Sequence, residues 1–451
     1  MRGSVRVNQH GYPPGEPKQA RLMTAAPVHG TRFRVTDASG DVVLGGRVPE
    51  RSTGSWDVRS PAVYRLDLSR LQTPGRYRIA TSGGVTALSP CFRARGAGYV
   101  RGRILRAGVV FDRNQRDGAQ VVAGRLHRRS SHLLDRRALT CRWPRLQHGS
   151  DLILDRRLHH FGGSVDFSDG WFDAGDHLKF THATAYNDVL LFTSARLLGH
   201  RAAPGRRIIP NLVGRVSAAF TLATQHDADT YRESTWRDDM RLGAAEIALA
   251  SHRVGQPAVR YLRGSACWAR GFIAERGTVT LNLSDTGALA EPVEVFDENS
   301  HTFGLIATVA LSDRLRFQGF ASLQRTWLLG GDPWGVTAMV GIGHRFPICM
   351  QHQVADLSGS LHGSPPIDVG AVVNGPKGKN NFEGGLGGFQ SGMRHCTAAS
   401  RRLHCFHGHG SRYVDDVRVW QTGEPALDMT GAAVIAAAAQ LRLHPHARLG
   451  R

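Results

Sequence analysis

The sequence predicts two structural units, a small β-sandwich followed by a larger all-α domain. Residues 4–94 contain short segments in which apolar and polar residues alternate, which is the period of a half-buried strand. Beyond about residue 98 the apolar residues recur instead at helical spacing. The chain has 451 residues, 41% of them hydrophobic, which is enough for about two or three domains with buried cores.

The alternating segments of the first unit are separated by clusters of proline, glycine, aspartate and serine. Several short strands divided by such turn signals indicate a small sandwich of two sheets. The predicted strands cover residues 5–8, 20–23, 33–36, 42–44, 63–66 and 77–80.

The helical segments of the second unit are joined by long connections rich in glycine. The longest connection, 360–411, shows neither a helical nor a strand period, and loops of that length are usually functional or mobile. Its glycines do not join a strand to a helix, so no nucleotide-binding loop is predicted. The predicted helices cover residues 98–122, 182–200, 213–226, 237–253, 257–275, 302–316, 319–329 and 426–442.

The formal charge of +20 raises nucleic acid as a partner. Only four of the 57 basic residues are lysines, and the arginines are spread through every segment instead of forming one basic run. We therefore interpret the charge as solvated surface and expect no nucleic-acid partner. No apolar run approaches the roughly 20 residues that cross a bilayer, so no membrane partner is expected. No signal peptide is visible at the N-terminus, which leaves the localisation open.

Six cysteines are too few for a disulfide scaffold, and no pair has the Cys-x-x-Cys spacing. Residues 395–409 bring together His395, Cys396, Cys405 and three further histidines. Their spacing matches no standard zinc motif, so an ordinary polar loop is favoured over a metal site.

The densest group of chemically active residues lies at 166–180, just ahead of a predicted helix. Asp173 and Asp176 stand three positions apart, and in a helical turn both carboxylates would lie on one side and hold one water molecule. Gly175 removes side-chain bulk beside them, and Trp171 offers a flat ring for a sugar. An acidic helix start is the alternative interpretation, because aspartate caps helices and favours the macrodipole.

A second acid, Glu424, precedes the strongly apolar segment 426–441. A carboxyl group against such a helix would be partly desolvated, which raises its pKa toward that of a usable proton donor. Alternatively Glu424 is only a helix-start residue, since Pro425 suits the first helical position.

Four segments together resemble glycoside hydrolase family 9, the inverting cellulases. Asp-Gly-Trp-Phe-Asp-Ala-Gly-Asp-His-Leu-Lys-Phe at 169–180 is similar to the motif that holds the nucleophilic water. Val-Arg-Val-Asn-Gln-His-Gly-Tyr-Pro at 5–13 is similar to the opening of the immunoglobulin-like module that precedes many members. Residues 331–353 resemble the block that ends in a substrate-binding histidine, and 413–428 the block with the general acid. The four segments follow the family's order.

The resemblance implies an Ig-like β-sandwich domain over 1–94 and an (α/α)6 barrel of the six-hairpin glycosidase type over 95–451. The barrel is expected to be abridged, because the sequence shows fewer helical segments than a full barrel needs. No cofactor is predicted, and a structural calcium ion is left open.

By the same resemblance, Asp176 is the general base, Asp173 helps to hold the water, and Glu424 is the general acid. The resemblance also places five side chains against the substrate, namely Trp171, His352, Gln353, Tyr413 and Trp420. This chain has Gln351-His352-Gln353 where many members have His-His-Arg, and Gly423-Glu424 where they have Asn-Glu, so the individual contacts stay open.

The predicted function is inverting hydrolysis of β-1,4-glucosidic bonds in cellulose-like glucans by an endoglucanase. An exo-acting β-glycosidase on oligosaccharides is one alternative. A carbohydrate-binding protein with degenerate catalytic groups is another. The expected partner is a β-glucan, the expected state is a monomer, and the resemblance suggests secretion.

Overall fold

The structure is a computed structural model in which most of the N-terminal half and the C-terminal third are described. The predicted helices at 213–226 and 302–316 lie outside the described residues, as do most of those at 237–253 and 257–275. The described residues are 1–119, 121–124, 126–142, 144–145, 154–198, 247–248, 251, 257–264, 267, 318–359, 368–389, 393, 395–396, 403–408 and 410–442.

The N-terminal unit consists of two antiparallel sheets. One sheet has the strand order β1-β2-β5 and the other β4-β3-β6-β7. The six predicted strands are confirmed; the seventh has three residues, too few for an alternating pattern to be recognised. The strands are β1 Gly3–Arg6, β2 Gln19–Thr24, β3 Arg32–Thr36, β4 Val42–Arg47, β5 Ala62–Asp67, β6 Gly75–Ser82 and β7 Phe92–Ala94.

The core of this unit follows from the two-residue period of a strand. In β5, Ala62, Tyr64 and Leu66 point inward, and the residues between them are more exposed. Phe33 and Val35 of β3 do the same from the other sheet. Side chains of both sheets form one buried cluster, so the two sheets pack face to face as a sandwich.

Helices dominate the rest of the described chain. They are α1 Ala97–Asn114, α2 Thr181–Leu198, α3 Gln318–Leu328, α4 Gln353–Gly359, α5 Trp420–Gly423 and α6 Leu427–Arg442. Two small antiparallel pairs accompany them, β8 Ala138–Cys141 with β9 His160–Val165, and β10 Lys377–Gly378 with β11 Ser411–Arg412. No helix within the described ranges has both the length and the apolarity to cross a bilayer.

The central helix of this part is α6, which packs against both α1 and α2. Its alanine-rich stretch 432–439 is buried, and small side chains allow neighbouring helices to approach closely. At Gly108 of α1, an added Cβ would overlap the side chain of Val434. The first turns of α6 are thereby held against the C-terminal half of α1.

A buried charge cluster joins the sandwich to the helices. Glu16, from the sandwich, forms ion pairs with Arg101 of α1 and Arg325 of α3, and all three side chains are almost inaccessible to solvent. Gln440 of α6 accepts hydrogen bonds from both arginines, at 3.2 Å through its carbonyl and 2.9 Å through Oε1. The carboxylate of Glu16 is therefore the shared counter-charge of two buried guanidinium groups from different helices.

A second junction is built on Gln9. Its Nε2 donates to the carbonyl of Gly335 at 2.8 Å, and its Oε1 accepts the backbone N–H groups of His344 at 3.1 Å and Arg345 at 2.9 Å. Nearby, Arg6 donates to the carbonyl of Pro333 at 2.7 Å. The segment 333–345 is thus fixed by the sandwich.

The Glu16 cluster predicts a large stability loss for Glu16→Gln. Removing the carboxylate leaves two buried guanidinium groups without their counter-charge, which typically costs about 3–5 kcal/mol. Urea unfolding followed by tryptophan fluorescence measures the loss. Glu50→Gln, the same chemical change at an exposed site, is the control and should change stability by less than about 0.5 kcal/mol. Equal midpoints for the two variants would contradict the assignment.

Candidate active site

The loop 166–180 is attached to the C-terminal end of α1. Gln115, directly after the helix, donates from Nε2 to the carbonyls of Ala174 at 2.7 Å and Phe172 at 3.3 Å. Its own carbonyl accepts the N–H of Phe172 at 3.0 Å, and Asp117 N–H donates to the carbonyl of Gly170 at 3.0 Å. The loop takes its shape from these distant partners, so 173–178 is not the helical turn expected from the Asp-x-x-Asp spacing.

Lys179 fixes the other end of the loop. Its Nζ lies 2.8 Å from Asp117 Oδ2 and 2.5 Å from the carbonyl oxygen of Phe167. Burial by itself would raise the pKa of Asp117, but hydrogen bonds from Lys179, Ser131 and His132 outweigh it and the pKa is lowered. The ionised Asp117 carboxylate therefore anchors both the loop and the segment after α1.

Three carboxyl groups meet on this loop. Glu424, which follows α5, accepts the N–H of Gly175 at 3.1 Å through Oε1, and so lies against the residue between Asp173 and Asp176. Asp176 Oδ1 accepts the N–H of Leu178 at 2.8 Å. The carbonyl of Asp173 accepts the N–H of Leu427, the first residue of α6, at 2.8 Å. The structure thus brings together the three acids that the sequence singled out.

The acids differ in burial and in electrostatic surroundings. Burial raises the pKa of Asp173 to about 9, and the neighbouring Asp176 and Glu424 add to the shift. Burial also raises the pKa of Glu424 to about 8, with a further contribution from Asp176. The side chain of Asp173 is buried, whereas Asp176 and Glu424 are both half-exposed. Near pH 7 Asp173 and Glu424 therefore carry protons.

Gly175 is required by the closeness of this packing. A Cβ there would overlap both the carbonyl oxygen and Oε1 of Gln351 and would lie 3.0 Å from Glu424 Cγ. Gln353 N–H donates to the carbonyl of Gly175 at 2.6 Å. The loop, the segment 351–353 and Glu424 therefore touch one another at a residue that has no side chain.

Two expected sugar contacts are buried in this structure. Trp171 is 3% exposed, and its Nε1 donates to the carbonyl of Asp112 at 2.8 Å, so its ring packs behind the loop instead of facing solvent. His352 is completely buried, and its Nε2 lies 2.8 Å from Gln115 Oε1. Both side chains support the loop from within, because long-range hydrogen bonds turn them inward.

The other three expected contacts, Trp420, Tyr413 and Gln353, differ in their exposure to solvent. Trp420 opens α5 with 40% of its side chain exposed, and its carbonyl accepts the N–H of Glu424 at 3.2 Å. Tyr413 is buried and packs edge-on against Trp334, with ring centroids 6.0 Å apart. Gln353 has a buried side chain and meets the loop through its backbone. Among these three side chains, Trp420 is therefore the exposed one, four residues before Glu424 in the chain.

Sequence reasoning missed two glutamines. Gln351 lies against Gly175, and its N–H donates to the carbonyl of Gly423 at 3.2 Å. Its position was marked in the sequence only as a departure from His-His-Arg. Gln115 had no signal, because a single glutamine inside the predicted helix 98–122 is ordinary.

The cysteine and histidine loop is not gathered around a metal in the described residues. Cys396 is bonded to Cys349 in a disulfide, which removes its sulfur as a thiolate ligand. His407 Nε2 lies 3.2 Å from the N–H of Tyr413, an ordinary hydrogen bond within the loop. Across the described ranges, no group of three or more histidine, cysteine or acidic side chains has an arrangement that would hold a metal ion.

Family models match both units of the chain. A model described as "Cellulase N-terminal ig-like domain" matches residues 2–86. A model described as "Glycosyl hydrolase family 9" matches residues 102–209 and 298–437, which together exceed half of the chain. A curated relative, Endoglucanase C of Cellulomonas fimi, is 31% identical over 189 residues, which are 39% of this chain and 15% of that protein.

Solved structures show the same fold at low identity. The structure described as "Bacteroides ovatus GH9" is 16% identical, with a TM-score of 0.65 over 97% of this chain and 99% of that chain. AaCel9A in complex with cellobiose-like isofagomine is also 16% identical, with a TM-score of 0.55 over 97% and 99% of the two chains. At this identity the likeness carries the fold alone.

The contact at Gly175 predicts that Gly175→Ala disrupts the three-carboxyl site. The new methyl group would force the loop away from Gln351 and Glu424, and a displacement of about 1 Å costs about 100-fold in turnover. Initial rates on a soluble β-glucan measure the effect. Gly163→Ala, in β9, adds the same methyl group into open space and should keep the parent rate. Equal rates for both variants would show that the contact is dispensable.

Proposed function

Because the chain belongs to glycosyl hydrolase family 9, we propose that it hydrolyses β-1,4-glucosidic bonds of cellulose-like glucans with inversion, as an endoglucanase. The observation that carries the proposal is the meeting of Asp173, Asp176 and Glu424 around Gly175. Glycoside hydrolysis needs a carboxylic acid that protonates the leaving oxygen and a carboxylate that activates water. Asp176 is half-exposed and can reach water, whereas Asp173 and Glu424 carry protons near pH 7, so the group meets both needs.

The architecture that accompanies this function is an Ig-like domain over 1–94 and an abridged (α/α)6 barrel over 95–451. The seven strands end at Ala94 and α1 begins at Ala97, which supports the boundary. The packing of α1 and α2 on α6 is the kind of contact that an inner ring of helices makes.

Asp176 acts as the general base in this proposal. Its half-exposed position lets a water molecule reach it, and a carboxylate that carries the single negative charge of the group is the proton acceptor. Asp173, protonated at neutral pH, shares the same water by a hydrogen bond without adding a second negative charge. The two aspartates thus divide the tasks of activating and holding the water.

Glu424 acts as the general acid. A pKa of about 8 keeps its proton in place at neutral pH, so the proton is available to the oxygen of the departing sugar. The loss of that proton above about pH 8 sets the alkaline limb of the rate profile.

Two observations support the proposed substrate class, the exposed ring of Trp420 and the complex of a protein of similar fold. Trp420 presents an exposed face on which a pyranose ring can stack. AaCel9A, of similar fold, was solved in complex with cellobiose-like isofagomine. A β-linked glucan is therefore the proposed partner, while Trp171, His352 and Tyr413 act from behind the surface. The monomeric state and the lack of a nucleic-acid partner stay predictions.

The proposed function is tested by incubating the purified chain with a panel of soluble β-glucans. We expect a rapid fall in viscosity with few reducing ends, the sign of internal cleavage, and α-anomeric products in early proton NMR spectra. Asp176→Asn is the matched control, since its amide keeps the shape but accepts no proton, and its rate should fall about 10²- to 10⁴-fold. Release of only short products would favour the exo-acting alternative, and binding without turnover would favour the carbohydrate-binding protein.

The role of Glu424 predicts a dependence on the leaving group. Glu424→Gln should lose about 10²- to 10⁴-fold on a natural glucan, whose leaving sugar needs a proton. It should lose far less on a β-glycosyl fluoride, because fluoride departs as a stable anion. The alkaline limb near pH 8 that the parent shows on the glucan should be absent on the fluoride, for parent and variant alike. Equal losses on both substrates would mean that Glu424 is structural.

A further inference from the structure

We propose that Gln115 is a positioning residue for the catalytic carboxyls, and that His352 and Asp368 orient it through a buried hydrogen-bond chain of fixed direction. This inference rests on the proposed function, because it assigns the residues that hold its catalytic loop in place. Gln115 and His352 are completely buried, and Gln115 reaches the site through its hydrogen bonds to the loop that carries Asp173 and Asp176.

The first link is the side-chain amide of Gln115. Its Nε2 faces two carbonyl oxygens, those of Ala174 at 2.7 Å and Phe172 at 3.3 Å, and carbonyls accept hydrogen bonds only. The nitrogen must therefore point toward the loop. These two residues flank Asp173, so the amide holds the backbone on both sides of the buried acid.

The direction of the next link follows from the first. With its nitrogen toward the loop, Gln115 offers Oε1 to His352 Nε2 at 2.8 Å, and an amide oxygen accepts only. His352 therefore carries its hydrogen on Nε2, and Nδ1 presents a lone pair. The tautomer of the histidine is set by the loop carbonyls, two links away.

The chain ends at Asp368. Its Oδ2 lies 3.6 Å from His352 Nδ1, and neither atom has a hydrogen-bond partner among the described residues. The other oxygen, Oδ1, accepts from Asn114 Nδ2, from the residue directly before Gln115. Two lone pairs that face each other in a buried space repel, so one proton belongs between them.

The electrostatic surroundings place that proton on the carboxyl group. Burial raises the pKa of Asp368 to about 7, against a hydrogen bond from Asn114 and the charge of Arg128. Burial lowers the pKa of His352 to about 3, with help from the charges of Arg128 and His177. The 3.6 Å between Asp368 Oδ2 and His352 Nδ1 is slightly longer than a hydrogen bond, so a protonated Asp368 faces Nδ1 as a donor in a close polar contact, and the direction agrees at every link from Asp368 to Ala174.

Ordinary core packing is the competing explanation, and it makes different demands. A residue that only fills space is replaced with little effect by a side chain of the same volume. A residue that sets the backbone around Asp173 needs both a donor toward the loop and an acceptor toward His352. The experiment therefore changes donors and acceptors at nearly constant volume.

The first test compares Gln115→Met with Gln115→Glu on a soluble β-glucan. Gln115→Met removes donor and acceptor, and we expect kcat to fall about 10- to 100-fold at every pH with KM nearly unchanged. Gln115→Glu restores one donor when its carboxyl group is protonated, whereas its carboxylate faces two carbonyls. Its kcat relative to the parent should therefore rise about tenfold as the pH falls. His352, Asp368 and His177 also titrate, while Arg128 keeps its charge, but these groups affect parent and variant alike.

His352 supplies the second test. His352→Gln can keep an N–H donor toward Gln115, whereas His352→Phe cannot, so the glutamine variant should retain several-fold more activity. The control is Ser89→Ala, because Ser89 is also buried and its hydroxyl also bridges a backbone N–H and a carbonyl, Ile79 N–H at 2.9 Å and the carbonyl of Pro90 at 2.7 Å, within the sandwich. It should lower the unfolding midpoint and leave kcat unchanged.

Hydrogen–deuterium exchange of the 169–180 peptide provides a readout that does not depend on turnover. Faster exchange in Gln115→Met, but not in Ser89→Ala, supports the positioning role even if the parent hydrolyses no β-glucan, a result that would overturn the proposed function alone. Unchanged exchange together with parent-like kcat in both Gln115 variants overturns the positioning role. If Gln115→Glu is active and its kcat relative to the parent does not change with pH, the fixed direction of the hydrogen-bond chain is overturned.

Discussion

The arrangement of the site depends on one close contact, in which Gly175 packs against Gln351 and Glu424. Gly175 donates to Glu424 Oε1 at 3.1 Å and accepts from Gln353 N–H at 2.6 Å, so its backbone joins segments from opposite ends of the chain. A side chain there would separate them. The positions of all three carboxyl groups follow, because Glu424 packs against Gly175, Asp176 is the next residue in the chain and Asp173 lies two residues before Gly175.

Bringing these acids together has an electrostatic cost that the protein meets by protonation. Three negative charges next to the apolar helix α6 would repel one another with little solvent to screen them. Burial and this repulsion raise the pKa values of Asp173 and Glu424, so both side chains are neutral near pH 7. Asp176 then stands as a half-exposed carboxylate beside two neutral acids. The same burial that makes the cluster unfavourable as three anions makes it suitable for acid and base chemistry.

Local patterns in the sequence predicted the strands, the helices α1, α2, α3 and α6, and the three acids, because each depends on periodicity or on residues that are near in sequence. The helical turn considered for Asp173 and Asp176 does not form, since backbone carbonyls in this part of the loop accept hydrogen bonds from Gln115 and Gln353 instead of from the loop itself. The burial of Trp171 depends on Asp112, which no local pattern connects with it. What the sequence did not reveal is therefore the set of long-range hydrogen bonds.

The sandwich takes part in the site through a continuous segment of chain. Gln9 forms hydrogen bonds with residues 335, 344 and 345. A few residues later in the same segment, Cys349 N–H donates to Asp415 at 2.9 Å. Gln351 then reaches Gly423 and Gly175. Because consecutive residues share a stiff backbone, fixing 335–345 on the sandwich limits where 349–353 can lie. The buried Glu16 cluster holds α1 and α3 to the same sandwich, and Gln115 directly follows α1. The loop of the two aspartates is thus placed between two supports that both start from the N-terminal unit.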